Sequence, residues 1–107
     1  MRVLAGPPTR PVLAIHAFNT EQRPVEVIRA GVIVANGTLI WHGPETPELP
    51  ARLGDGESVE IRLPDEWIEL VRASTGHDVV QLAVMDAGGQ LYVSEPRDLQ
   101  PAEPESA

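Results

Sequence analysis

Residues 58–63, Ser-Val-Glu-Ile-Arg-Leu, alternate strictly between polar and apolar side chains. Successive side chains of an extended chain point to opposite faces, so Val59, Ile61 and Leu63 share one face and Ser58, Glu60 and Arg62 the other. A strand of this kind needs a sheet with one dry face and one wet face, which is the arrangement of antiparallel sandwiches. The turn Gly54-Asp55-Gly56 delivers the chain into it.

The rest of the chain repeats the pattern. Residues 11–18 form a strand with Leu13, Ile15 and Ala17 on one face and His16 and Phe18 on the other. Residues 25–35 are a β-branched run of strand length, with Gly31 marking a bulge or kink and both faces buried beyond it. Asn36-Gly37 then predicts a type I′ hairpin turn into a returning strand over 38–42. The proline-rich stretch 43–56 is expected to cross from one sheet to the other. Pro64 sits at a first helical position, and 65–73 read as a short helix with Trp67, Leu70 and Val71 on one side, Ile68 flanking them, and Gly76 as its C-cap. Residues 78–85 make another strand, and Asp86-Ala87-Gly88-Gly89 turns the chain into a last one, over 90–93, with Leu91 and Val93 inward.

The ends differ. Residues 1–10, with Pro7 and Pro8, read as an N-terminal arm. Residues 95–107 read as an acidic proline-rich C-terminal tail, in which Glu95, Asp98, Glu103 and Glu105 outnumber Arg97. Between them, residues 11–94 form one domain.

Charge and composition remove several classes of function. The formal net charge is −8, and all eight basic residues are arginines scattered along the chain, so phosphate is repelled and nucleic acid is a poor partner. The absence of cysteine excludes disulfides and thiolate metal sites. No stretch has the ~20 apolar residues of a membrane span, and the apolar N-terminal run is too short for a signal peptide. The expected location is therefore a virion if the chain is phage-encoded, and otherwise the bacterial cytoplasm. Arginine-only usage is the codon signature of a GC-rich genome.

The entry Arg23-Pro24-Val25-Glu26-Val27, the segment Leu53-Gly54-Asp55-Gly56-Glu57-Ser58-Val59 and the closing Asp86-Ala87-Gly88-Gly89-Gln90-Leu91-Tyr92 together resemble bacterial and phage immunoglobulin-like β-sandwich proteins. The resemblance covers 11–94 and implies an all-β fold: an immunoglobulin-like antiparallel β-sandwich of about six to seven strands, with one short helix before the last hairpin. It brings no catalytic residues with it. The Cys-Trp-Cys pattern of antibody domains is missing.

No residue pattern builds an enzyme. His16, His42 and His77 lie too far apart in sequence for ordinary zinc spacing. Gly76-His77-Asp78 beside Ser74 and Thr75 lacks a nucleophile elbow. Asp65-Glu66 and Glu57/Glu60 fall on a helix start and a wet strand face, and the Gly54–Glu57 turn lacks the acid ladder of a calcium loop. Catalytic, metal and cofactor sites are therefore expected to be absent. The expectation is a non-enzymatic structural or interaction module, foremost a phage virion accessory in capsid decoration or at the tail. It would bind neighbouring protein chains in an oligomeric assembly through its arms and loops. The alternative is a regulatory protein-binding module or inhibitor in a bacterial host. The candidate partner-binding residues are Trp41 and His42 at the end of the returning strand, where Trp41 is read first as a core side chain and otherwise as a partner anchor, Pro44 and Pro47 in the crossover, Pro7 and Pro8 in the arm, and Arg97 in the tail.

Overall fold

The β-branched run after Pro24 becomes the strand around which the molecule is organised. The computed structural model describes residues 1–5, 12–43 and 46–96. In chain order the strands are β1 (Arg2–Ala5), β2 (Val12–Phe18), β3 (Val25–Val34), β4 (Leu39–Trp41), β5 (Ala51–Leu53) and β6 (Ser58–Pro64). The helix α1 (Asp65–Thr75) follows, then β7 (Val79–Asp86) and β8 (Leu91–Val93). They form two antiparallel sheets, one ordered β1-β2-β6, the other β4-β3-β7-β8 with β5 also on β3.

The alternation that predicted β6 holds: Ile61 and Leu63 are fully buried, and Glu60 and Arg62 are in water. They pack with Val3, Ile15 and Ala17 against Val27, Val32, Val34, Leu82 and Val84 of the opposite sheet. Among the described residues the fully buried cluster is aliphatic, with the Trp67 and Tyr92 rings packed against it, so aliphatic interdigitation holds the layers together.

Several expectations are corrected. Residues 2–5 are no arm: β1 pairs with β2 from Arg2 opposite Phe18 to Ala5 opposite Ile15, and Val3 is buried. The bulge in β3 lies at Ile28, not Gly31, because Val27 pairs with Asp86 and Arg29 with Met85. The extra residue moves the inward set from Val25 and Val27 to Ala30, Val32 and Val34. Gly31 serves close approach instead. A Cβ there would collide with the Ile40 carbonyl oxygen and lie 2.8 Å from Trp41 Cα. A second bulge, at Val80 in β7, turns Val79 toward the core.

The β3–β4 turn is a three-residue loop rather than type I′. Gly37 N–H donates to the Val34 carbonyl, Val34 N–H to the Thr38 carbonyl, and Gly37 has φ +91°. The β7–β8 turn repeats it: Gly89 N–H donates to the Asp86 carbonyl, Asp86 N–H to the Gln90 carbonyl, and Gly89 has φ +87°. In β8 the faces are the reverse of the expectation. Tyr92 lies opposite buried Val84 and packs on the core, while Leu91 and Val93 are 41% and 44% exposed.

The helix is turned relative to its expected face. Ile68 and Val71 are buried, and Leu70 is 63% exposed. Pro64 ends β6 and occupies the N-cap, and Gly76 closes the helix in the left-handed conformation with its N–H on the Arg72 carbonyl. β4 and β5, at the two ends of the proline-rich connection, both pair with β3 and so belong to one sheet. The crossing between sheets is made by the Gly54-Asp55-Gly56 turn itself, on the way from β5 to β6.

Candidate partner-binding notch

Three residues of β3 fall between its two short partners. β4 pairs with Gly31–Ile33 and β5 with Val25–Val27, and the bulge at Ile28 opens the edge between them. His42, Gly43, Thr46, Leu49 and Pro50 border this gap and leave a notch of about 460 Å³. Ile28, Arg29, Trp41, His42, Thr46 and Leu49 line it.

Each wall has a local cause. Trp41 stands opposite Gly31, on the face turned away from the core, because Ile40 is the residue packed inward. The Arg29 guanidinium carbon lies 6.0 Å from the centre of its ring. His42 N–H donates to the Ala30 carbonyl at 2.8 Å, extending the ladder one step past β4. The imidazole is held on two sides. Its Nδ1 is 2.8 Å from Thr46 Oγ1, whose own proton goes to the Gly43 carbonyl at 3.1 Å, so Nδ1–H is the donor. Its ring meets Trp67 edge-on, with centroids 4.9 Å apart. Thr46 is buried with both of these bonds made. Glu48 accepts the Arg62 N–H of β6 through Oε2 at 3.3 Å, tying the connection to the opposite sheet.

The notch therefore presents apolar wall from Ile28, Trp41 and Leu49, a cation in Arg29 and an oriented imidazole. Among the described residues Arg29 has no carboxylate partner. Such a surface suits an apolar side chain flanked by a carboxylate.

Of the candidate residues read from the sequence, Trp41 and His42 come together here, and Pro47 is exposed on the same connection without lining the notch. Pro7, Pro8, Pro44 and Arg97 lie outside the described residues. The histidines are dispersed. His16 stacks on Phe18 at 4.4 Å, on the outer face of the β1-β2-β6 sheet, while His77 follows the helix. Among the described residues no group of three His, Cys, Asp or Glu side chains is placed to hold a metal ion. Ser74 Oγ donates to the Leu70 carbonyl and Thr75 Oγ1 to the Val71 carbonyl, both at 2.8 Å, and Asp78 pairs with Arg72 at 3.2 Å. Glu57 Oε1 accepts the Gly54 N–H and so closes the Gly54–Glu57 turn. No helix among the described residues is long and apolar enough to cross a membrane.

Sequence reasoning missed the polar fasteners. Asn19 is 1% exposed and its Nδ2 reaches the carbonyls of Arg23, Leu53 and Gly54 within 3.1 Å, while Oδ1 accepts the Glu21 N–H. Asp86 collects the Gly88 and Gln90 N–H groups on Oδ1 and the Tyr92 hydroxyl on Oδ2, each at 2.9 Å. Burial alone would raise the Asp86 pKa, but the N–H groups of Gln90 and Gly88 and the Tyr92 hydroxyl outweigh it, so the net shift is downward. Burial and the Asp86 carboxylate push Tyr92 up to about 12. The spacing Asp86, Gly88, Gln90, Tyr92 carried the signal: an acid opening a glycine turn is an Asx-type acceptor for the amides that follow.

No protein-family model, no curated protein and no solved structure matches the chain.

Proposed function

We propose that the chain is a non-enzymatic protein-binding module of immunoglobulin-like build, which engages its partner at the notch. The observation that carries this reading is the grouping of Trp41, Arg29 and the doubly held His42 around one concave gap in a sheet edge. Tryptophan and arginine are the side chains most enriched where interfaces draw their energy. The strand order β1-β2-β6 against β4-β3-β7-β8 supports the immunoglobulin-like build, with its crossings at β2–β3, β5–β6 and the helix.

The partner class is a protein segment with an apolar residue to enter the notch and a carboxylate for Arg29. The biological setting in this reading is a phage virion, where the chain decorates a capsid or tail. Purified chain mixed with candidate capsid or tail proteins co-elutes from size exclusion as a complex. Trp41→Ala abolishes that complex with an unchanged circular dichroism spectrum. Complexes with every partner that survive both Trp41→Ala and Arg29→Ala overturn the notch as the docking site.

A further inference from the structure

The last strand is an open edge. Ser94 N–H donates to the Leu82 carbonyl at 2.9 Å and Asp86 N–H to the Gln90 carbonyl at 3.0 Å, with Tyr92 opposite Val84 between them. The backbone groups of Gln90, Tyr92 and Ser94 therefore face β7, and those of Leu91 and Val93 face away from it. No strand among the described residues pairs with that outer edge. Leu91 and Val93 also carry exposed side chains, on the face of the sheet opposite the core.

The other edges are blunted in the ways that prevent strand addition. β6 carries Glu60 and Arg62, and Glu48 takes the Arg62 N–H. β4 and β5 are only three residues long and share one side of β3. β1 opens with the charged Arg2. Within Leu91–Val93 there is no charge and no proline.

We propose that β8 pairs antiparallel with β8 of a second copy of this chain, about a two-fold axis through Tyr92. This register sets Leu91 against the partner's Val93 on each side of the axis. Each of these pairs exchanges both N–H···O bonds, and the two Tyr92 residues form the pair without bonds between them. Gln90 meets the partner's Ser94, so apolar faces apolar and polar faces polar. A register moved one step along the same face sets Val93 against the turn glycine Gly89, or Leu91 against Glu95. No two carboxylates oppose each other across the seam. The contact is the same on both copies, as a closed two-fold interface requires. It also continues a row already present. On the outer face Trp41, Gly31, Ala83 and Val93 lie side by side, and the partner's Leu91 extends that line.

A seam of this length is small, so the dimer is weak and is sought by sedimentation equilibrium at protein concentrations up to about 1 mM. Val93→Pro removes an outward N–H that β7 does not use and raises the dissociation constant about tenfold or more. Leu91→Lys and Val93→Glu each weaken the dimer similarly. Combining them places lysine opposite glutamate twice and restores association to within about threefold of the parent. A parent that stays monomeric at the highest concentration overturns the proposal. So do variants with unchanged association, or a double variant no tighter than the single ones. If Val93→Pro does not fold, the lysine–glutamate set decides alone. Trp41→Ala leaves the dimer unchanged, so this proposal and the notch reading fail separately.

Discussion

Asn19 shows how much one small amide can hold. It sits where the chain leaves β2, and it satisfies one carbonyl of its own turn and two at the end of β5. Replacing it with alanine strands buried acceptors away from water, each an expense of about 1–3 kcal/mol. Asn19→Ala is expected to lose about 2–4 kcal/mol in urea unfolding, with Asn19→Asp no better, because a carboxylate would face carbonyl oxygens. Tyr92 gives a second residue-level outcome. In the unfolded chain it titrates near 10.0, and in the fold near 12. Below pH 10 both states keep the proton and the contribution of Tyr92 is fully present. Between these values the unfolded chain sheds the proton and the folded chain retains it, so stability falls as pH rises, by about 1–2 kcal/mol. The chain has no lysine, no cysteine and no second tyrosine, so no other side chain titrates in that window. Tyr92→Phe should flatten the decline in chemical denaturation measured from pH 9.5 to 12.

Among the elements, α1 separates pattern from position. Its existence, its acidic first turn and its glycine cap were legible, because those signals are local to the helix. Its rotation was not. Trp67, Leu70 and Val71 obey helical spacing, but so do Ile68 and Val71, and only the sandwich below decides between them. Leu70→Lys is expected to shift the melting temperature by less than about 2 °C, whereas Val71→Ala should cost about 1–3 kcal/mol. The same limit explains β8. Three alternating apolar residues do not reveal which face is dry, and the wide Tyr92 ring wins the inner side because its hydroxyl finds Asp86 at the rim. Strand positions were read well for β2, β3, β6 and β7, where alternation or β-branching runs long. For the notch, Trp41 and His42 were legible as chemistry-bearing types. Arg29 was not, since its place beside them depends on a bulge that no periodicity announces.

For the whole molecule, the layers depend on segments remote in sequence. Met1–Ala5 supplies an edge strand, with Val3 in the core and the terminal amine 2.9 Å from Thr20 Oγ1. Removing residues 1–5 is expected to lower stability by about 2–4 kcal/mol in thermal unfolding, whereas an arm without contacts would leave it unchanged. The notch also gives the molecule an optical property. Its two tryptophans both bear on that gap, Trp41 as a wall and Trp67 through the edge of His42. Intrinsic fluorescence is thus a label-free gauge of occupancy: an arriving side chain changes the surroundings of the only indoles present, and emission titrates with whatever fills the space between them.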